Sequence, residues 1–245
     1  FMAYCFTGPW LPGILNHRMV SLRVFVENMY MAYEGIFGSA LGSSATFLFL
    51  FILFGSFLEK VGTGEYFINL ANRMVGWSRG GPAKAAVVSS AIFGSISGSA
   101  VANVYGTGVM TIPLMKKLDY DPVFAGATEA VSSTGGQILP PVMGAAAFVM
   151  AEFLGLTYLD IVKAAAIPGV MYYVALLFMV HLRARKQNLK PMKEGFVSTR
   201  YLFQNSYLMI PLAILIIILV MGYTAFKAVY LSLLSLLLIG IITRR

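Results

Sequence analysis

The chain has 245 residues, 58% of them hydrophobic and 11% charged, with 18 Lys and Arg against 10 Asp and Glu for a net charge of +8. Its mean hydropathy is +0.78, whereas soluble domains carry about 25% charged residues, and a chain of this size cannot enclose so much apolar surface in water. A soluble globular domain is excluded, and a multi-span protein whose missing solvent is lipid is implied.

The basic residues lie between apolar runs, so they report membrane topology and not a nucleic-acid surface. One cysteine, Cys5, forms no internal disulfide, and the two histidines, His17 and His181, flank apolar segments, which argues against a thiolate or imidazole metal site. The chain starts at Phe1 inside an apolar stretch, shows no signal-peptide pattern and ends on Thr243-Arg244-Arg245 directly after another apolar run. That is the expectation for a piece of a longer protein or a partial gene product.

A hydrocarbon layer of roughly 30 Å needs about 20 residues of helix. Gly35 to Leu58 is free of charge and predicts a plain span. Between Lys60 and Gly80, the residues Glu65, Tyr66, Phe67, Ile68, Leu70, Ala71, Arg73, Met74, Val75 and Trp77 form an amphipathic stretch. It is expected to lie along the cytoplasmic interface, anchored by Arg73 and Trp77.

The next stretch departs from a plain span. Ala85 to Met115 has no charge for about 31 residues, which as one helix would be roughly 46 Å long, beyond the bilayer core. Its middle, Gly94-Ser95-Ile96-Ser97-Gly98-Ser99, concentrates small polar and helix-breaking residues, and Asn103, Tyr105, Gly106, Thr107 and Gly108 follow. A re-entrant hairpin over 82–117 is predicted, since non-helical backbone at that depth is tolerated only inside protein or around a water-filled cavity.

A broken helix is predicted over 122–155. It reaches Glu129, is interrupted by Ser132-Ser133-Thr134-Gly135-Gly136-Gln137 and by Pro140-Pro141, and resumes over Val142 to Leu154. Ala164 to His181 continues a span from near Tyr158. Leu182 to Thr199 reads as a basic cytoplasmic loop that feels anionic lipid, and Tyr201 to Phe226 and Ala228 to Thr243 read as two more spans.

With one hairpin and one broken crossing, Lys60, Arg73, Arg79, Lys84, Lys116, Lys117, Arg183, Arg185, Lys186, Lys190, Lys193, Arg200, Arg244 and Arg245 share one side, while Arg18, Arg23, Lys163 and Lys227 lie on the other. The positive-inside rule makes the rich side cytoplasmic. A plain crossing at Ala85 to Met115 would split the Arg79/Lys84 and Lys116/Lys117 groups.

The two interruptions offer hydroxyls, amide oxygens and freed carbonyls, which suit hard ions, and discontinuous helices meeting in mid-membrane are how secondary transporters build ion sites. A cation site is expected between the turn at Ser95 to Asn103 and the break at Ser133 to Gln137. Close packing of helices through small residues is the plainer use of the same serines and glycines. Glu129, an ionisable group within an apolar segment, is a coupling candidate; alternatively it pairs with Lys116 or Lys117 or faces water. Glu152 and Asp160 are expected near the outer interface. No buried base stands by to activate a serine, so an enzyme is not expected.

The runs Gly94 to Asn103, Ile112-Pro113-Leu114-Met115-Lys116-Lys117 and Ser133-Thr-Gly-Gly-Gln-Ile-Leu-Pro-Pro141-Val-Met-Gly144 resemble the large membrane subunit of TRAP (tripartite ATP-independent periplasmic) transporters. Glu34 to Gly38, Ala45-Thr46-Phe47 and Phe57-Leu-Glu-Lys60 look like the variety with the small and large subunits fused. The resemblance implies an all-α polytopic fold, an elevator-type transporter in the bacterial or archaeal inner membrane. It further implies import of small organic anions such as carboxylates, driven by Na⁺ and supplied by a periplasmic binding protein, with no organic cofactor.

Carried over to this chain, Ser95, Ser97, Gly98, Asn103, Ser133, Thr134 and Gly135 would hold Na⁺, and Ser99 and Gln137 would face substrate. The stretch Glu65 to Trp77 would be the arm helix that braces the moving domain. The resemblance divides the chain into scaffold and arm (1–80), transport half (81–157) and further scaffold with a basic loop at 182–200 (158–245). The family has two inverted repeats and this chain shows one, so half of a transport site is expected. A passive channel or a membrane-anchored assembly subunit is the competing function.

Overall fold

The computed structural model of the chain describes residues 2–32, 35–38, 41–42, 44–189, 191–192 and 197–243. Glu34 of the resembling run, and Lys190, Lys193, Arg244 and Arg245 of the basic set, lie outside the described residues. Every regular element among the described residues is helical. Two compact units are present, Phe1–Thr46 and Phe47–Arg245.

In the first unit, α1 (Met2–Thr7) and α2 (Leu22–Val26) are joined by two 3-10 turns at Gly8–Trp10 and Gly13–Leu15. Pro9 and Pro12 remove the donors a continuing helix would need. Ser21 caps α2 by accepting from Val24 N–H, and Arg23 pairs with Glu27 at 2.9 Å.

The run expected to span from Gly35 becomes helical later. Turns close at Gly35 and Gly38 through bonds to Ala32 O and Gly35 O, and a π turn at Ser44–Leu48 leads into α3 (Phe49–Lys60). Gly35 and Gly38 carry a helix poorly, so freedom from charge alone did not make a helix over 35–38. After a bend at Gly62, α4 (Thr63–Val75) leaves at 71° to the preceding helix. It buries Tyr66, Phe67, Ile68 and Ala71 against its neighbours and leaves Trp77, just beyond it, 70% exposed.

The long uncharged run then folds as two arms: α5 (Gly81–Ser97), and a return through α6 (Ala100–Asn103), a π turn (Val104–Gly108) and α7 (Val109–Lys117). The next segment is α8 (Pro122–Gly135), a non-helical break over 136–144, and α9 (Ala145–Leu154). It is followed by α10 (Tyr158–Lys186), which runs further than the sequence suggested. His181 to Lys186 are helical and not part of a loop, because Arg and Lys are good helix formers and favourable in a last turn.

Tyr201 to Phe226 is likewise not one continuous helix. It divides into α11 (Thr199–Gln204), a 3-10 turn at Ser206–Met209 and α12 (Ile210–Val220), before α13 (Ala225–Thr243). Asn205 and Pro211 interrupt the helix, and a turn at 221–224 ends it. Among the described residues, two helices are long and apolar enough to cross a membrane, Tyr158–Lys186 and Ala225–Ile242, or three if the bent pair is one span.

Two clusters hold the second unit together. Phe54, Phe67, Phe93, Leu208, Leu215 and Leu236 join α3, α4, α5, the 3-10 turn, α12 and α13. Val87, Met115, Tyr120, Tyr173, Leu176 and Val180 pack the two-armed hairpin against α10. In lipid such contacts stabilise by close packing and not by transfer from water.

Candidate ion and substrate site

The hairpin turns where Gly98 takes φ +62° and donates its N–H to Gly94 O at 2.9 Å. Ser99 Oγ accepts from Ala102 N–H at 3.3 Å and so starts the return arm. A Cβ on Gly98 would lie 2.0 Å from Met143 O, so the tip sits directly on the break of the next segment. On the other side of the contact, Asp121 and Pro122 start α8, and the break contains a cis peptide between Pro140 and Pro141.

The break is tied to its surroundings by backbone bonds. Val142 N–H donates to Ser95 O at 2.9 Å and Gly144 N–H to Gln137 O at 2.7 Å. Tyr158 Oη donates to Pro141 O at 3.1 Å and also to Val142 O. A Cβ placed on Gly136 would come within 2.5 Å of Gly94 Cα. Hairpin and broken helix therefore meet backbone to backbone, and the C-terminal ends of α5 and α8, where helix dipoles are negative, lie in one small region.

Below that contact is a buried polar network. Glu129 is fully buried. Its Oε1 accepts from Ser90 Oγ at 2.9 Å, Thr107 Oγ1 at 2.6 Å and Ser133 Oγ at 3.2 Å. Its Oε2 accepts from Thr111 Oγ1 at 2.5 Å. Asn103 Nδ2 donates to Ser90 O at 2.8 Å and to Ser133 O at 3.4 Å, and its Oδ1 lies 3.2 Å from Thr107 Oγ1. One carboxylate and one amide thus connect both hairpin arms to α8.

The residues expected to bind are distributed as follows. Ser97, Gly98 and Ser99 form the tip, and Ser97 Oγ is buried with no hydrogen-bond partner among the described residues. Ser95 Oγ bonds back to Ile92 O at 2.9 Å, while its carbonyl holds Val142. Asn103 and Ser133 lie in the network beneath. Thr134 is exposed, with its hydroxyl on Ala130 O, and Gln137 is exposed in the break. Gly135 packs under Tyr172, whose ring a Cβ there would meet at 2.3 Å. The structure seats the tip at Gly98 on Met143 and Gly144 and the preceding Gly94 on Gly136, sets Gly135 against Tyr172, and points Thr134 away along its own helix. Glu129 faces hydroxyls, whereas Lys116 and Lys117 are exposed in the last turn of α7 and form no ion pair with it.

Residues 1–245 match the family of the tripartite ATP-independent periplasmic transporter, DctM component. The chain belongs to the TRAP transporter large-permease family. It is 29% identical over 187 residues to the C4-dicarboxylate TRAP transporter large permease protein DctM of Vibrio cholerae, covering 75% of this chain and 38% of that protein. It is 29% identical over 162 residues to the sialic acid TRAP transporter large permease protein SiaM of the same organism, covering 60% of this chain and 37% of that one. The match to the sialic acid TRAP transporter permease protein SiaT of Haemophilus influenzae is 29% over 137 residues, 56% of this chain and 22% of SiaT. The chain spans under two fifths of the length of these relatives.

Within this TRAP-permease chain, sequence reasoning missed Ser90, Thr111, Tyr172 and Tyr173. Asn103, Thr107 and Thr111 recur every four residues, which puts them on one side of the return arm facing Glu129 and Ser133, themselves four apart. That spacing was the available signal. Tyr172 and Tyr173 donate to Val131 O and Ser132 O, each at 2.7 Å; nothing in the sequence marks these phenols beyond their place in a span.

Proposed function

We propose that this chain is one half of a Na⁺-coupled TRAP permease that imports small organic anions delivered by a periplasmic binding protein. The observation that carries the reading is the contact between hairpin tip and break. Two helix C-termini converge there, and Ser97 at the end of α5, packed on Gly55 of α3, has a buried hydroxyl with no hydrogen-bond partner among the described residues. Hydroxyl and carbonyl oxygens at negative helix ends are donors for a hard monovalent cation, and Ser97, Gly98 and the last turn of α8 would hold Na⁺. Ser99 and the exposed Gln137 lie on the same contact and would face substrate. Relatives named for C4-dicarboxylate and for sialic acid transport both handle carboxylates, which supports an anionic substrate.

The backbone contact of Gly94 with Gly136 and the phenol bonds of Tyr172 and Tyr173 favour a single rigid body of hairpin, broken helix and α10, suited to an elevator motion against the other helices. Uptake of radiolabelled C4-dicarboxylate or sialic acid should be measured in proteoliposomes holding the complete permease with its binding protein. Uptake should require an inward Na⁺ gradient; uptake unchanged when K⁺ replaces Na⁺ would refute sodium coupling.

A further inference from the structure

The last turns of α10 meet the start of α5 in a patch of one sign of charge. A Cβ on Gly80 would lie 2.6 Å from Ala184 Cβ and 3.8 Å from Val180 O, so residues 79–84 sit directly against α10 at 180–185. His181 and Arg185, four residues apart, share a face of α10. The charged groups that act on His181 are Lys84, Arg185 and Arg79, all of them cationic. The ion pair found among the described residues, Arg23 with Glu27, involves none of them. Lys84 Nζ uses one of its donors on Ser78 Oγ at 2.9 Å and keeps the others. Nδ1 of His181 is enclosed with no hydrogen-bond partner among the described residues, which leaves Nε2 as the ring nitrogen open to a ligand. Like charges gathered this closely repel one another and favour an anion among them.

The same face of α10 changes character one turn earlier. Phe178, Leu182 and the neighbouring Met179 are exposed and apolar, and the spacing 178, 181, 182, 185 places Phe178 and Leu182 in line with His181 and Arg185. This helix is one of those long and apolar enough to cross a membrane. An exposed apolar stripe that runs into an unneutralised basic patch at the end of such a helix matches a phospholipid, acyl chain along the stripe and phosphate at the patch.

We propose that Arg79, Lys84, His181 and Arg185 form a binding site for the headgroup of an anionic phospholipid, with Phe178 and Leu182 against its acyl chain. One headgroup then touches both the start of α5 and the end of α10, and it braces the hairpin on α10 at the end of α5 opposite the tip. The site makes no use of the sodium reading, whose failure leaves it standing.

The test titrates the complete purified permease in detergent with phosphatidylglycerol or phosphatidylcholine and follows bound lipid by native mass spectrometry. Wild type should bind phosphatidylglycerol at least about tenfold more tightly than phosphatidylcholine. Lys84→Gln/Arg185→Gln should weaken phosphatidylglycerol binding about tenfold to thirtyfold, the worth of two basic residues at an anionic headgroup, and leave phosphatidylcholine binding unchanged. Lys116→Gln/Lys117→Gln removes as much charge from exposed positions at the end of α7 and should alter neither affinity by more than about twofold. Equal losses in the two double variants would mean that net charge alone attracts the lipid, and a wild type without preference would mean that no site exists; either result overturns the proposal. Excess inorganic phosphate should leave the lipid bound; displacement by it would assign the patch to a soluble anion and overturn the lipid as occupant. Should Lys84→Gln/Arg185→Gln fail to fold, the exposed Arg185→Gln decides alone: phosphatidylglycerol binding weaker by about threefold or more supports the site, and unchanged binding overturns it.

Discussion

Asn103 shows how one side chain can be read correctly for place and incompletely for role. Its amide reaches Ser90 O and Ser133 O, across the hairpin and over to α8. Asn103→Ala removes one of the donors each carbonyl has in this buried region, Ser133 O keeping Gly136 N–H, at a cost of about 1 kcal/mol. A lower melting temperature in Na⁺-free detergent should register that loss, and Asn103→Ala at wild-type stability would mean the amide is no strut. The polarity of Asn103 within an apolar run was legible from the sequence. Whether its amide faces an ion or a neighbouring carbonyl depends on how two arms and a third helix pack, which no local pattern encodes. Glu129 was ambiguous for a related reason: distance along α8 allowed either lysines or a polar interior, and only the position of the two hairpin arms decides for Ser90, Thr107 and Thr111.

At the scale of elements, the hairpin and the broken helix were legible because length and chemistry agreed. A charge-free run too long for one crossing and rich in glycine and serine has few other solutions. Freedom from charge by itself was a weaker guide, as Gly35 to Leu58 and Tyr201 to Phe226 show, where Gly35 and Gly38 in one case and Asn205 and Pro211 in the other interrupt the helix. The contact between the two elements depends on glycine. Gly136→Ala would put a methyl 2.5 Å from Gly94 Cα, against backbone that cannot swing aside. Overpacking of this kind costs about 1–3 kcal/mol. Thermal denaturation should show a loss of that size, accompanied by weaker Na⁺ binding as tip and break separate; Gly126→Ala, where a Cβ meets nothing within 4 Å, is the control expected to leave both unchanged.

Across the whole chain, the division expected from the family resemblance groups α10 with the scaffold, whereas its bonds run to the other side. Tyr172 and Tyr173 reach Val131 O and Ser132 O, Tyr158 reaches the break, and a Cβ on Gly169 would lie 2.8 Å from Ile138 O. We therefore expect α10 to travel with the hairpin and broken helix. Tyr173→Phe removes one bond to the last turn of α8 and should lower stability by about 1 kcal/mol, with a matching fall in melting temperature. The account turns most directly on Ser97, whose hydroxyl has no hydrogen-bond partner among the described residues. Sodium affinity of the complete permease and of its Ser97→Ala variant is the deciding measurement. We predict unchanged melting in Na⁺-free buffer and Na⁺ binding weaker by about tenfold, the worth of one lost oxygen ligand; equal Na⁺ affinity in the two proteins would contradict a cation site at the hairpin tip.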